Sequence, residues 1–197
     1  MTRAVLVNGV PASGKTTVAR GIGARLDLPV LSLDAVKEVL FEELGHQDAD
    51  RDWGRVLNRA SIRSIWALVG GFPPGSIVVV DAWFRLPPHE VVLGDLAAAG
   101  VDRWVEVWCH AEPETLVARY RTRERPQGHP APEDYVAELA ELARLARPMA
   151  HSPVLDVDTT DPASVDEAAI ALWVGDRLLE ATEDPRAADR NRSVTRP

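Results

Sequence analysis

One short segment near the beginning of the sequence restricts the fold more than any other feature. It reads Gly9-Val10-Pro11-Ala12-Ser13-Gly14-Lys15-Thr16 and fits the pattern G-x-x-x-x-G-K-[ST] at every fixed position. An apolar run over residues 3–8 precedes it, and apolar residues recur at helical spacing after it, at Val18, Ile22 and Leu26. A strand, a glycine-containing loop and a helix in this order form the context that a phosphate-binding loop requires. The segment therefore predicts a P-loop at the end of a buried strand.

The chemistry of such a loop assigns candidate roles to its residues. Its backbone N–H groups surround a phosphate, and the positive end of the following helix adds to the attraction. We expect Lys15 to reach the β- and γ-phosphates of ATP, the Thr16 hydroxyl to bind Mg²⁺, and Thr17 to contact the α-phosphate. The candidate nucleotide-binding residues are Gly9, Ala12, Ser13, Gly14, Lys15, Thr16 and Thr17. The matching context disfavours the alternative, a glycine loop that binds nothing.

The remainder of the chain alternates between short apolar runs and amphipathic stretches. This pattern predicts an α/β fold with a five-stranded parallel sheet and helices on both faces. The predicted strands cover about residues 3–8, 29–33, 76–80, 103–109 and 154–157. We expect one domain over residues 1–181 with a lid at about 119–134, and a flexible tail over 182–197. The last helix is expected over about 163–181, with a capping box formed by Ser164 and Glu167.

Asp34 directly follows the second predicted strand, where open α/β sheets place their ligands. A carboxylate beside a phosphate loop can accept the proton of an attacking hydroxyl, so Asp34 is a candidate base and acceptor-binding residue. Lys37 lies one helical turn further on and is a second candidate for binding the acceptor. The alternatives are a helix cap for Asp34 and a solvated surface position for Lys37.

Asp81 ends the apolar run Ile77-Val78-Val79-Val80, which is the Walker B pattern. We expect it to hold Mg²⁺ opposite Thr16. Trp83, Phe84 and Arg85 follow and are expected to line the acceptor pocket, with Trp83 and Arg85 as candidate acceptor-binding residues. The alternative is that the aromatic pair only packs in the core.

A group of arginines precedes a proline-rich stretch in the second half of the chain. Arg119, Arg121, Arg123 and Arg125 come just before residues 126–132, in which Gly128-His129-Pro130 is a candidate hinge. An arginine carried by a closing lid can stabilise charge on a transferring phosphoryl group. We therefore expect Arg123 and Arg119 to be catalytic lid groups. The alternative is a solvated basic helix end.

Composition disfavours some classes of function. The net charge of −8 disfavours nucleic acid as a partner, because a protein that binds a long polyanion needs a basic face. One cysteine, Cys109, permits no internal disulfide and indicates a cytoplasmic protein. No apolar run approaches the roughly 20 residues needed to cross a bilayer, so we expect no membrane span. The histidines show no metal-ligand spacing, and the remaining tryptophans are expected in the core.

The motifs together resemble the P-loop kinases of the AAA-33 group, which are related to zeta toxins, chloramphenicol phosphotransferase and the 5′-kinase domain of phage polynucleotide kinase. The resemblance covers about residues 3–160 and rests on the loop over 9–16, Leu31-Ser32-Leu33-Asp34-x-x-Lys37, Asp81, and the segment from Pro113 to His129-Pro130. It implies phosphorylation of a hydroxyl by ATP, with Asp34 as base, Asp81 near magnesium, and Arg119 or Arg123 in the lid. The chain has Lys37 where relatives of polynucleotide kinase tend to have arginine. It reads Ser32-Leu33-Asp34 where chloramphenicol phosphotransferases have Gly-Val-Asp.

The leading hypothesis is a Mg·ATP-dependent kinase whose acceptor is a small molecule, such as an antibiotic, a sugar or a nucleoside. Two alternatives remain. A polynucleotide or RNA 5′-hydroxyl kinase would need a basic groove for the strand. A nucleotide-dependent regulatory ATPase would need no base beside an acceptor, so the role of Asp34 distinguishes it from a kinase.

Overall fold

The structure, a computed structural model, describes residues 1–44, 51–123 and 132–178. In this part of the chain five parallel strands form one sheet in the order β2-β3-β1-β4-β5. The strands are β1 (Thr2–Asn8), β2 (Val30–Ser32), β3 (Ile77–Asp81), β4 (Val101–His110) and β5 (Val154–Asp158). The predicted α/β fold with a five-stranded parallel sheet is confirmed.

Helices cover both faces of this sheet. They are α1 (Lys15–Leu26), α2 (Leu33–Leu44), α3 (Arg51–Gly70), α4 (Glu90–Ala98), α5 (Pro113–Thr122), α6 (Pro132–Leu145) and α7 (Glu167–Leu178). Apolar side chains of α1 and α7 form one core cluster with the sheet. Those of α3 and α4 form a second cluster on the opposite face, and α5 and α6 pack there on the β4 side.

The central strands are long runs of β-branched and small apolar residues because both of their faces are covered. Every residue from Ala4 to Val7 in β1, and from Val78 to Val80 in β3, is fully buried. Cys109 near the end of β4 belongs to the α1–α7 cluster, where burial raises the pKa of its thiol to about 12. The thiol is therefore protonated at neutral pH and is unreactive.

Strand register brings the predicted functional residues to one edge of the sheet. The Cα atom of Asp81 at the end of β3 is paired with Val7 of β1 on one side and with Ser32 of β2 on the other. The loop after β1 and the start of α2 therefore flank Asp81. This edge, at the carboxyl ends of the strands, is where open α/β sheets bind ligands.

The predicted capping box of the last helix is wrong. Pro162–Ser164 form a separate 3₁₀ turn, in which the Ser164 hydroxyl donates to the carbonyl oxygen of Asp161 at 2.7 Å. Helix α7 begins later, at Glu167. Its capping side chain is Asp166, whose Oδ1 accepts a hydrogen bond from the amide of Ala169 at 2.9 Å. The 3₁₀ turn engages the serine, so the aspartate closest to the helix start caps it instead.

Parts of the predicted lid and tail lie outside the described residues. Helix α5 ends at Thr122, so Arg119 lies in its last turn and Arg123 directly follows it. Residues 124–131, which include Arg125 and the proposed hinge, lie outside the description, as do residues 45–50 and 179–197. The lid and the tail therefore stay predictions.

Helix α1 approaches β2 so closely that one of its positions tolerates only glycine. A Cβ atom at Gly23 would lie 2.4 Å from Cγ2 of Val30 and 3.0 Å from the carbonyl oxygen of Leu28. Valine is stiff at χ1 and the carbonyl is backbone, so neither can easily move away. We expect Gly23→Ala to lower the free energy of unfolding by about 1–3 kcal/mol, measured by urea denaturation.

The matched control is Gly94→Ala in α4, where an added Cβ would meet nothing within 4 Å. Alanine is the better helix former, so this variant should gain about 0.5–1 kcal/mol. A Gly23→Ala protein that also gained stability would contradict the close α1–β2 contact.

Candidate active site

The backbone of residues 9–14 forms the loop that the motif predicted. Ala12 has a φ of 67° and Gly14 has a φ of 76°, both in the left-handed region. Such turns direct successive N–H groups toward one concave side, where an anion can bind. A Cβ atom at Gly9 would lie 2.3 Å from the carbonyl oxygen of Cys109 and 2.4 Å from Oγ of Ser13. The glycine is required because the loop passes directly over the end of β4.

Lys15 begins helix α1 and is buried despite its charge, with a relative exposure of 7%. The carbonyl of Gly14 accepts the amides of Thr17 and Val18, so the helix starts tightly against the loop. The dipole of α1 therefore ends at the loop with its positive pole. Buried charges in proteins are paired, and the charge of Lys15 acts electrostatically on Asp81. The loop, the helix end and the lysine together form a compact, positively polarised group that suits an anion.

Asp81 is the most strongly desolvated carboxylate of this site, with a relative exposure of 2%. Its Oδ2 accepts a hydrogen bond from the Ser32 hydroxyl at 3.0 Å. Burial raises the pKa of Asp81 above its ordinary value, while the charge of Lys15 and the hydroxyls of Thr16 and Ser32 act in the opposite direction. Its Oδ1 is buried without a hydrogen-bond partner among the described residues. A carboxylate oxygen with unused lone pairs beside a threonine hydroxyl fits a hard cation or the water bound to one.

Asp34 lies close to this group. It is in the first turn of α2, directly after β2, and its charge also acts to raise the pKa of Asp81. Its negative charge in the first turn interacts favourably with the helix dipole. Asp34 does not precede the helix, however, as a capping residue would. Asp34 and Lys37, one turn further on, are both partly exposed. Two carboxylates, one buried and one accessible, therefore flank the loop.

The two aromatic residues that follow β3, Trp83 and Phe84, lie in different environments. Trp83 and Ala12 of the loop both pack against the same core cluster, and the guanidinium carbon of Arg85 lies 5.8 Å from the centre of the Trp83 ring. Phe84 is buried instead, stacked on Trp66 with ring centroids 6.4 Å apart. Phe84 is therefore a core residue and does not line an acceptor pocket. Trp83 and Arg85 remain candidates because they closely follow Asp81 at the edge of the sheet that carries the loop.

The two predicted lid arginines have different environments. The guanidinium of Arg119 donates from Nη2 to the carbonyl oxygens of Thr159 at 2.6 Å and Thr160 at 3.2 Å. Arg119 is thus attached to the loop that follows β5, on the far side of the phosphate loop from Asp34. Arg123 is exposed at the end of α5.

Two contributions to the site escaped sequence reasoning. The hydroxyl of Thr159 donates to the carbonyl oxygen of Ser13 at 2.8 Å and thereby holds the phosphate loop against the end of β5. Asn8, at the end of β1, accepts the amide of Gly9 on its side chain and donates to buried Glu106 on β4. The available signals are weak, a threonine just after a strand and an asparagine just before the motif.

Across the described ranges, no helix combines the length and apolar character needed to cross a membrane.

Comparison with known proteins agrees with this geometry. A family model described as an AAA domain, AAA_33, matches residues 5–148. No curated protein matches the chain. Among solved structures, a protein from Chloroflexus aurantiacus that has been proposed to be a kinase is similar, with 29% identity and a TM-score of 0.77, over 90% of this chain and 98% of that chain.

Two more distant structures share the fold alone. A gluconokinase from Sinorhizobium meliloti is 19% identical with a TM-score of 0.56, over 94% of this chain and 96% of that chain. Kti12 from Chaetomium thermophilum, solved in complex with ADP-AlF3, is 17% identical with a TM-score of 0.59, over 89% of this chain and 98% of that chain.

The ADP-AlF3 of that structure is bound by Kti12, which shares this fold. Given the family match over residues 5–148, the strand order and the phosphate loop, the chain belongs to the AAA_33 family of AAA domains and has the fold of P-loop kinases.

Proposed function

We propose that the protein is a Mg·ATP-dependent phosphotransferase that phosphorylates a hydroxyl group of a small molecule. The observation that carries this proposal is the placement of the accessible carboxylate of Asp34 beside buried Asp81 and the phosphate loop. A protein that only hydrolyses nucleotide as a timer has no need of a second carboxylate where an acceptor would bind. The similarity to the gluconokinase structure supports the same class of reaction.

The proposed reaction assigns each step to a side chain. The loop amides and Lys15 bind the β- and γ-phosphates, and Asp34 accepts the proton of the acceptor hydroxyl as its oxygen bonds to the γ-phosphorus. The bond between that phosphorus and the bridging oxygen breaks, and ADP leaves. Thr16 and Asp81 would hold Mg²⁺, which neutralises phosphate charge when bound.

The remaining candidates bind the acceptor or close the site. Lys37, Trp83 and Arg85 are proposed to contact the acceptor, because they lie on α2 and on the segment after β3, next to the loop. Arg123 and Arg119 are proposed to stabilise charge on the phosphoryl oxygens. For Arg119 this requires exchange of its hydrogen bonds to Thr159 and Thr160. The cytoplasm is the proposed compartment, because the single cysteine of the sequence permits no internal disulfide.

The test is ADP release from Mg·ATP with and without a panel of hydroxylated acceptors. The panel holds sugars, gluconate, shikimate, nucleosides, hydroxylated antibiotics and an oligonucleotide with a free 5′-hydroxyl, and Lys15→Ala is the blank. Release that depends on one acceptor, with a matching mass gain of one phosphate, supports the proposal. Steady release indifferent to every acceptor favours the regulatory ATPase, and a phosphorylated oligonucleotide favours the polynucleotide kinase.

The role of Asp34 is tested by Asp34→Asn. Loss of the base should lower the rate of phosphoryl transfer by about 10²- to 10⁴-fold, because general base catalysis contributes that much. The dissociation constant for Mg·ATP, measured by calorimetry, should change less than about threefold, since the loop is untouched. Asp102→Asn, an exposed change at the opposite end of the sheet, is the control and should leave the rate of transfer unchanged. Equal rates for both variants would remove Asp34 from the mechanism.

The ionised carboxylate of Asp81 should lower the free energy of unfolding, although it is proposed to help bind Mg·ATP. Its raised pKa means that the folded protein binds a proton there more tightly than the unfolded chain does, so this carboxyl lowers stability as pH rises through that pKa. Asp81→Asn should therefore raise the free energy of unfolding of the metal-free protein at pH 7. The gain should shrink as the pH falls and the native carboxyl takes up its proton. The variant should also lose Mg²⁺-dependent binding of ATP.

The control for this second test is Asp95→Asn in α4, a carboxyl whose pKa is also raised by burial but which lies outside the site. It should leave Mg·ATP binding unchanged. Urea unfolding at several pH values and calorimetric titration measure the two effects. An Asp81→Asn protein that is less stable than the native chain at pH 7 would contradict the electrostatic argument.

A further inference from the structure

A buried polar pair, Asn8 and Glu106, lies beneath the candidate site, and the proposed chemistry does not use it. Both side chains have a relative exposure of 0%. Asn8 ends β1, and Glu106 lies in the middle of β4, where the register pairs it with Leu6. Asn8 Nδ2 donates to Glu106 Oε1 at 2.8 Å. None of the ion pairs between described residues involves Glu106, so hydrogen bonds compensate for the lost hydration of its buried carboxyl group.

The asparagine joins the two halves of the site. Its Oδ1 accepts the amide of Gly9, the first residue of the phosphate loop, at 2.8 Å. The same oxygen accepts the amide of Phe84 at 3.1 Å. Phe84 lies between Trp83 and Arg85, the candidate acceptor residues. A single oxygen atom therefore sets the distance between the nucleotide side and the acceptor side of the site.

Glu106 determines which way the asparagine amide points. With Oδ1 facing two N–H donors and Nδ2 facing a carboxylate oxygen, the opposite orientation of Asn8 would place like groups against each other on both sides. Glu106 also accepts the amides of Met149 at 3.0 Å and Ala150 at 3.1 Å. These residues return the chain from α6, the helix that follows the predicted lid.

Both segments held by this pair contain a strained residue. Arg85 has a φ of 68° and Ala150 has a φ of 55°, conformations that non-glycine residues adopt only when the surroundings impose them. The two segments also touch each other, since the rings of His89 and His151 meet edge to face with centroids 5.7 Å apart. The hydrogen bonds of Asn8 and Glu106 hold Phe84, next to Arg85, and Ala150 itself.

We propose that Asn8 is a positioning residue for phosphoryl transfer, which fixes the acceptor segment (residues 82–86) relative to the phosphate loop, with Glu106 holding its amide in place. This inference rests on the proposed function. It also predicts an effect that requires only nucleotide: binding of nucleotide to the loop should slow hydrogen exchange at the amide of Phe84. An error of about 1 Å in the alignment of reacting groups lowers rates by about 10²-fold, so a loosened link should affect turnover more than binding.

The first experiment needs no acceptor. Hydrogen exchange at the amides of Phe84, Met149 and Ala150 is measured with and without the probe Mg·AMPPNP, a non-hydrolysable ATP analogue. In the native protein the analogue should slow exchange at Phe84. In Asn8→Ala the exchange at Phe84 should be faster by at least tenfold and should no longer respond to the analogue. The control is Ser61→Ala, which removes a fully buried hydroxyl that donates to the Leu57 carbonyl in α3, and should leave exchange at Phe84 unchanged.

The second experiment uses the acceptor that the panel identifies. For Asn8→Ala we expect kcat to fall by about 10- to 100-fold, while the dissociation constant for Mg·ATP stays within about threefold. The number of phosphates transferred per ATP consumed should fall as well, because water reaches a misaligned γ-phosphate. A destabilised core variant, Val78→Ala, should lose activity only in proportion to its folded fraction. An Asn8→Ala protein that behaved like Val78→Ala would overturn the proposal.

Conservative variants keep the test valid if Asn8→Ala does not fold. Asn8→Asp retains the acceptor oxygen for Gly9 and Phe84 but sets a carboxylate against Glu106, so kcat should fall. Adding Glu106→Gln supplies a donor to the new aspartate, at the cost of the hydrogen bond from the Met149 amide to the same atom, and should recover part of the loss in kcat. Unchanged exchange at Phe84 in every variant would refute the role of the pair. Because the exchange experiment requires only nucleotide binding, its failure is distinct from a failure to find an acceptor.

Discussion

The pairing of β3 with both β1 and β2 is the constraint on which the site depends. Neighbouring strands lie about 4.8 Å apart, so the register that sets Asp81 level with Val7 and Ser32 also sets its distance from the phosphate loop. A slip of one residue would turn the carboxylate to the other face of the sheet. The apolar residues of β3, buried on both faces, prevent such a slip. Core packing therefore positions a polar group that has few contacts of its own.

Charge and burial compete at this position. Lys15 and Asp81 are buried close to each other, yet the pKa of Asp81 is raised because the attraction does not compensate for lost hydration. A site with the proposed role of binding a polyphosphate and a cation is therefore less stable when it is empty, which is the usual cost of a preorganised site. Hydrogen bonds from Ser32 to Asp81 and from Thr159 to the loop keep the arrangement in place.

Sequence reasoning predicted the residues that belong to short, contiguous motifs. The phosphate loop, Asp81 after its apolar run and Asp34 after β2 are of this kind. It missed Thr159 and Glu106, because their partners are backbone groups or side chains brought close only by the sheet, such as Ser13 for Thr159. A local pattern also misled at the last helix, where a proline-started turn displaced the helix start and Asp166 became the cap. Hydrogen bonds from side chains to backbone groups far away in the sequence produce no periodic pattern from which they could be predicted.

The packing of β4 under the phosphate loop has a practical consequence. The carbonyl of Cys109 lies where a Cβ at Gly9 would be, while its side chain points into the core and stays protonated at neutral pH. Since the sequence contains one cysteine, the native chain offers no reactive thiol to a maleimide. A fluorophore or spin label placed on a cysteine introduced at the surface would thus report from a single known position without prior removal of the native residue.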